Sequence, residues 1–142
     1  MGDRDMSGLI KMVVFDLDGV LTDVESSWQV VHRAFGVDNE GNFQKYLNSE
    51  ISYGEFMRSD ISLWGRTHIS RIKSILDQVS LMKSAKRTLE CLKEEGVRTA
   101  IISSGISLLA ERVKDELGID FVFANRLLTD EGGNLTGEGE EV

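Results

Sequence analysis

The sequence predicts an α/β protein whose parallel sheet is interrupted by a helical insertion. Three short apolar runs, 9–15, 99–102 and 121–124, have the length and composition of buried strands. Amphipathic helical segments lie between these runs, and strands that alternate with helices are typical of a parallel sheet. The helical segment 23–82, between the first two runs, is too long to be a single crossover helix. We therefore expect it to form a helical cap inserted after the first strand.

The first strand is predicted over Leu9–Phe15, and it leads directly into Asp16-Leu17-Asp18-Gly19. It is short and apolar and contains β-branched residues, which favours a strand buried on both faces. We expect this strand to be parallel and central in the sheet.

Apolar residues at helical spacing predict four helices within the insertion. The first of these is expected to end at Gly36. The clearest start signal is the capping-box pair Ser52 and Glu55, which opens the third helix. The residues that mark the four helices are, in order, Trp28, Val31 and Phe35; Phe43 and Leu47; Phe56 and Ile61; and Ile69, Ile72, Leu76 and Val79.

The chain after the insertion returns to alternating helices and strands. A helix ending at Gly96, a strand over Thr99–Ile102, a helix ending at Gly118 and a strand over Phe121–Ala124 follow one another. A turn-rich segment near 127–136 predicts a hairpin. We assign residues 1–22 and 83–142 to the α/β core, and residues 23–82 to the cap.

The composition excludes several classes of protein. The 142 residues carry a net charge of −8, whereas nucleic-acid-binding proteins usually have a basic face. No apolar run approaches the roughly 20 residues that span a bilayer, and the charged N-terminus does not resemble a secretory signal. The one cysteine, Cys91, cannot form an internal disulfide, and its amphipathic helix predicts that it is buried. We expect a cytoplasmic protein without a nucleic-acid or membrane partner.

Polar residues follow the first two strands at their carboxyl ends, where ligands bind in open parallel sheets. Asp16 and Asp18 follow the first strand, and Ser103-Ser104-Gly105 follows the second. Carboxylates suit a hard divalent cation, whereas a hydroxyl and the amides of a helix N-terminus suit a phosphate. If the two strands are neighbours, this combination points to phosphoryl transfer.

Structural alternatives exist for the same residues. Asp16 to Gly19 could form a simple turn or part of a calcium loop, although Val20 stands where a calcium loop needs an oxygen ligand. Ser103 and Ser104 could serve only to cap the following helix.

Two motifs, in order, resemble those of the haloacid dehalogenase superfamily. The segment 13–23 (VVFDLDGVLTD) resembles its first motif, and 101–105 (IISSG) resembles its second. The segments 123–128 (FANRLL) and 133–138 (GNLTGE) resemble the phosphoserine phosphatase branch in particular. The resemblance covers nearly the whole chain, and it implies a Rossmann-like core with an inserted cap.

The resemblance also implies roles for individual residues. Asp16 would be the nucleophile that forms an aspartyl-phosphate, and Asp18 would be the general acid and then the base. Mg²⁺ would be held by the Asp16 carboxylate and the Asp18 backbone carbonyl. The groups implied to hold the phosphoryl oxygens are the Ser103 side chain and the nearby backbone of Gly19, Ser104 and Gly105.

The resemblance implies less about the rest of the substrate. Glu25 corresponds to a glutamate that contacts the substrate amine, although Thr22 and Glu25 also have the spacing of a capping box. Asp60 stands where the family pattern has an arginine for the substrate carboxylate, with Arg58 two residues away. This departure puts L-phosphoserine itself in question as the substrate.

Two further elements of the superfamily have no counterpart in the sequence. The first is a lysine beside the nucleophile, and no lysine follows Lys114 in the sequence. The second is an acidic pair after a fourth strand. We expect a longer natural protein; the alternatives are a second polypeptide that supplies the missing strand and a degenerate member that binds without turnover. The incomplete sheet would leave an open edge through which the chain could self-associate or take up a second chain.

The predicted function is Mg²⁺-dependent hydrolysis of a small phosphorylated metabolite. The competing prediction is a non-catalytic phosphate-binding or regulatory module with the same cap and core. A phosphotransferase or phosphomutase of the same superfamily is a third possibility, because these enzymes differ mainly in how water is admitted under the cap.

Overall fold

The structure is a computed structural model that describes residues 9–142. Within that range the order of strands and helices agrees with the prediction. Residues 1–8 of the predicted core, which include the segment considered as a signal sequence, lie outside the described range. The elements are β1 (Met12–Phe15), α1 (Ser27–Phe35), α2 (Glu40–Leu47), α3 (Tyr53–Ser62), α4 (Ile69–Leu76), α5 (Ala85–Glu94), β2 (Arg98–Ile106), α6 (Ser107–Leu117), β3 (Phe121–Thr129) and β4 (Leu135–Glu140).

The four strands form one sheet in the order β1-β2-β3-β4. The pairs β1–β2 and β2–β3 are parallel, with Val14 opposite Ala100 and Ala100 opposite Phe121. The pair β3–β4 is antiparallel and forms the expected hairpin. This arrangement confirms the α/β class and the parallel direction of β1. The expected central position of β1 is wrong for residues 9–142, because each later strand adds to the same side of the sheet.

The two faces of the sheet are covered unequally. Helices α5 and α6 contact β2, and α6 also contacts β3. Apolar residues on the opposite face remain exposed, and they alternate along the strands with the buried set. The exposed residues of this face are Met12, Val14, Ile102, Phe121 and Phe123.

Several element boundaries follow directly from local chemistry. The Ser52 side chain accepts from the Glu55 amide, and the Glu55 carboxylate accepts from the Ser52 amide, as the predicted capping box requires. Helices α1 and α6 end at Gly36 and Gly118, both left-handed, as the glycine stop signals predict. Cys91 is exposed, contrary to the expectation, because it lies on the outer side of α5.

The helical segment 23–82 is joined to the rest of the chain by two adjacent connecting segments. The Asp23 amide donates to the Ser80 carbonyl, and the Met82 amide donates to the Leu21 carbonyl, each at 2.8 Å. One apolar core extends from the sheet into the helices of the cap. The assignment of 1–22 and 83–142 to a core and of 23–82 to a cap therefore stays a prediction.

Within residues 9–142, no helix is long and apolar enough to cross a membrane.

Candidate active site

The turn after β1 presents the first predicted site residue to solvent. The Leu17 carbonyl accepts from the amides of three successive residues, 20–22, and from the Thr22 hydroxyl, which closes a compact turn. Gly19 has a φ of 74° in this turn, a conformation that glycine adopts without steric cost. Asp16 is exposed, and its Oδ1 accepts from the neighbouring Leu17 amide, at 2.7 Å.

Asp18 has a different environment from Asp16. Its Oδ2 accepts from the Ser27 amide at 3.0 Å and from the Ser27 hydroxyl at 3.1 Å, whereas its Oδ1 is buried without a hydrogen-bond partner. Burial raises the pKa of the Asp18 carboxyl, the two hydrogen bonds from Ser27 lower it in part, and the charge of Asp16 raises it again. The neighbouring carboxyls therefore differ in solvation, which is the usual basis for separate acid and nucleophile roles.

The end of β2 lies against Asp18. Ser103 is buried, and its hydroxyl accepts from the Gly105 amide at 3.0 Å. A Cβ on Gly105 would stand 2.9 Å from Asp18 Oδ2 and 3.1 Å from the hydroxyls of Ser103 and Ser27. Glycine is therefore required here by the close approach of the two strand ends. The alternative that the serines cap α6 is not supported, because its N-cap is Ile106, without a side-chain cap.

The backbone at Ser104 is held from two sides. Its carbonyl accepts from the Trp28 indole at 2.9 Å and from the Asn125 amide group at 2.9 Å. The same Asn125 nitrogen lies 2.6 Å from the Tyr53 hydroxyl, so that α1, α3 and β3 all contribute to the position of this loop. Neither Trp28 nor Asn125 has a local sequence signal for this contact.

Ser27 links the two strand ends and was missed by the sequence analysis. Its hydroxyl donates to Asp18 Oδ2 and accepts from the buried Ile106 amide at 3.0 Å. A serine at the start of a helix indicates only a cap, and the N-cap of α1 is in fact Ser26. The sequence signal that could have drawn attention to Ser27 is the serine pair 26–27 at the start of α1.

Glu25 does not cap a helix. Helix α1 begins at Ser27, and the Thr22 hydroxyl donates to the Leu17 carbonyl instead. Glu25 and Ser104 both line a cavity of about 590 Å³ between α1, α2, α3 and the end of β2. We call this space the cap cavity. The structure thus brings Asp18, Ser103 and Gly105 together beside the Asp16 turn, and it places Glu25 and Ser104 on the adjoining cavity.

The oxygen atoms that follow β1 could supply some of the ligands of a hard cation. Asp16 is accessible and can contribute a carboxylate oxygen, and the Asp18 backbone carbonyl is the second oxygen that the resemblance implies. No group of three or more His, Cys, Asp or Glu side chains in 9–142 could hold a metal. Mg²⁺ retains several waters in protein sites, so two donors are compatible with binding that also uses water and substrate oxygens.

Comparison with known proteins explains this arrangement. The model of the haloacid dehalogenase-like hydrolase family matches residues 10–138. The chain belongs to this family. The family predicted from the resemblance is thus confirmed.

Relatives within the family include phosphoserine phosphatases. The chain is 31% identical to the phosphoserine phosphatase of Archaeoglobus fulgidus and 27% identical to that of Methanocaldococcus jannaschii. The alignments cover 89% and 92% of this chain but 37% and 62% of those relatives. A solved phospho-aspartyl intermediate analogue of phosphoserine phosphatase superposes with a TM-score of 0.76 at 25% identity, over 93% of this chain and 63% of that one. The chain therefore spans about one-third to two-thirds of the length of these proteins.

We expect Ser27→Ala to destabilise the protein by about 1–3 kcal/mol, because it leaves the buried Ile106 amide without an acceptor. It also removes a donor from Asp18, so any phosphatase activity should fall. Urea unfolding and a phosphate-release assay measure the two effects.

The matched control for Ser27 is Ser52→Ala, which removes the cap of α3 at a cost of about 1 kcal/mol without touching Asp18. If both variants lost stability and activity equally, Ser27 would have no specific role at the site.

Proposed function

We propose that this site hydrolyses the phosphate monoester of a small metabolite, with Asp16 as nucleophile and Asp18 as acid and base. The observation that carries the proposal is the contrast between the two carboxyls. Asp16 is exposed and free to attack, whereas Asp18 is desolvated, has a raised pKa and is oriented by Ser27. A raised pKa favours a carboxyl that can hold and then deliver a proton.

The proposed reaction has two steps. An Asp16 carboxylate oxygen attacks phosphorus, the ester P–O bond breaks, and the leaving oxygen takes the proton of Asp18. Asp18, now ionised, then removes a proton from a water that attacks phosphorus, and the bond between phosphorus and Asp16 breaks to release phosphate. Both steps need the two carboxyls close to the same phosphorus atom.

The end of β2 is proposed to bind the phosphoryl group. The groups proposed for this role are the buried Ser103 hydroxyl and the backbone at Gly19, Ser104 and Gly105, of which Gly105 lies against Asp18. Asp16 and the Asp18 carbonyl are proposed to hold Mg²⁺. The ion would offset the repulsion between the Asp16 carboxylate and the phosphate.

Phosphate release by this chain tests the proposed function. A generic aryl phosphate and phosphoserine serve as substrates, with and without Mg²⁺. We expect Mg²⁺-dependent release from the aryl phosphate. If neither substrate released phosphate, hydrolysis by this chain would be overturned.

The second candidate function is a non-catalytic phosphate-binding module. It is favoured by the small number of metal donors found among residues 9–142. Titration with inorganic phosphate in a calorimeter distinguishes it from the first candidate, since a module of this kind would bind phosphate but release none from the esters.

Self-association through the β1 edge is also proposed. Within the described range β1 pairs on one side only, with β2, and the adjoining sheet face exposes apolar side chains. The mass in solution across a range of concentrations tests this, and a constant monomer mass would exclude it.

We expect Glu25→Ala to raise KM for an amino-bearing phosphomonoester about tenfold, and to change KM for an aryl phosphate little. The reason is that Glu25 lines the cap cavity and caps no helix, so that its carboxylate is available to a substrate amine. Steady-state kinetics with both substrates measure the difference, and a tenfold change corresponds to about 1.4 kcal/mol.

Glu50→Ala is the control for Glu25, since it removes a carboxylate from the cap outside the cavity. Equal changes in KM for the two substrates would contradict a contact between Glu25 and the amine.

A further inference from the structure

The cap cavity combines negative charge with aromatic surface. Four carboxylates contribute to its lining, and Arg33 is the one basic residue among the described residues that line it. Aromatic rings form much of the remaining wall. The carboxylates are Glu25, Asp38, Glu40 and Asp60, and the rings are those of Trp28, Phe43, Tyr53 and Phe56. Carboxylates and aromatic faces both attract cations, the latter through the ring quadrupole.

Asp60 is the buried carboxylate of this lining, with 3% of its surface exposed. Both of its oxygens accept from the Asn39 side-chain nitrogen, at 3.1 and 3.0 Å. Gln29 donates to the Asn39 oxygen at 3.0 Å and so orients the Asn39 amide group toward Asp60. These partners hold the carboxylate in place, but they are neutral.

His32 lies between Trp64 and Asp60. Its Nδ1 lies 2.9 Å from the Trp64 indole nitrogen, which can only donate, so Nδ1 must be the acceptor. The other ring nitrogen, Nε2, lies 3.3 Å from Asp60 Oδ2 without the alignment of a regular hydrogen bond.

No lysine or arginine in the described part of the chain lies within 4.0 Å of Asp60. Arg58, two residues earlier, is directed toward Glu138 of β4, with 3.9 Å between Nη1 and Oε2. Buried charges in proteins are usually paired or bound to a cation. Among the described residues, Asp60 therefore has no lysine or arginine partner, while it lines a cavity large enough for a small ligand.

We propose that the cap cavity binds an alkylammonium group, with Asp60 as its counter-ion and the aromatic wall as its apolar contact. If the site is the proposed phosphatase, the substrate class is a phosphomonoester of an amino or quaternary-ammonium alcohol that carries no carboxylate. A carboxylate on the substrate would be repelled, because the four acidic residues of the cavity lining outnumber its one arginine, Arg33, by three negative charges. This assignment of the substrate rests on the proposed function, whereas the cation site does not.

Choline, without any phosphate, is the probe for the cation site. Its control ligand is the neutral isostere in which a tert-butyl group replaces the trimethylammonium group. Fluorescence of the two tryptophans reports binding, because Trp28 lines the cavity and stacks on Trp64 with ring centroids 5.5 Å apart. We expect saturable quenching by choline, and binding of the isostere at least tenfold weaker.

Two variants refine this test. Asp60→Asn should weaken choline at least tenfold and leave the isostere unchanged. Glu50→Gln removes an equal charge from the cap outside the cavity and should alter neither ligand. If Asp60→Asn does not fold, the comparison of choline with its isostere on the unaltered protein decides alone.

The outcomes separate the cation site from the proposed function. Equal binding of choline and the isostere, no saturable binding of choline, or full retention of choline by a folded Asp60→Asn would each overturn the cation site. Choline binding without any phosphate release would keep the cation site and remove the substrate assignment. If phosphate is released, kcat/KM for ethanolamine phosphate should exceed that for phosphoserine at least tenfold, and the reverse order would overturn the substrate class.

Discussion

Replacing Asp16 with asparagine is expected to reduce Mg²⁺-dependent phosphate release by about a thousandfold or more. An amide cannot attack phosphorus as a carboxylate can, so the covalent step is lost rather than slowed. The fold should be retained, because Asp16 is exposed and its recorded hydrogen bond, from the Leu17 amide, can equally be accepted by an asparagine oxygen. Release from an aryl phosphate and the midpoint of thermal unfolding measure the two properties.

Asp23→Asn is the control for Asp16. Asp23 is an exposed carboxylate close in sequence to the candidate site, and its backbone amide bonds to Ser80 whatever the side chain. This control should keep both activity and stability. Activity retained in Asp16→Asn would refute the nucleophile assignment, whereas loss of activity in both variants would show only a general effect of charge near the turn.

Gly105→Ala is expected to lower the free energy of unfolding by about 1–3 kcal/mol, the usual range for overpacking a tight site. The new methyl group would lie 2.9 Å from Asp18 Oδ2, and the hydroxyls of Ser103 and Ser27 would lie 3.1 Å away. All three neighbours are already engaged in hydrogen bonds, so displacing any of them breaks a bond. Any phosphate release should fall as well, because Asp18 would be displaced. Urea unfolding and the phosphate-release assay measure these effects.

Gly41→Ala is the control for Gly105→Ala, because the same change from glycine to alanine is expected to stabilise the protein at this position. Gly41 lies in α2, and an added Cβ there would meet nothing within 4 Å. Alanine stabilises a helix relative to glycine by about 0.5–1 kcal/mol. If Gly105→Ala were as stable as the parent protein, the close approach of the β1 and β2 ends would not be a constraint.

Much of the local structure could be predicted because it depends on neighbours in sequence. The capping box of Ser52 and Glu55 needs only residues three apart, and the stops at Gly36 and Gly118 need only one left-handed residue. The candidate site could also be located, because strands β1 and β2 are neighbours and parallel strands place their carboxyl ends together.

Some local patterns were misleading because a tertiary contact took precedence. Thr22 and Glu25 have capping-box spacing, but the Thr22 hydroxyl bonds to Leu17 in the turn and α1 begins later. Likewise, Ser103 precedes a helix without capping it, because β2 continues to Ile106. Each residue had two possible partners, and the fold determined which one was within reach.

Motifs and periodicity were sufficient to predict the family, the α/β order of elements and the two carboxyls that follow β1. The environments of Asp18 and Asp60, in contrast, depend on contacts between segments that are distant in sequence. Ser27 reaches Ile106 across 79 positions, and Trp64 reaches His32 across 32. Hydrogen bonds and desolvation act over a few ångströms of space, so the protonation state of a buried group depends on which distant segments pack against it.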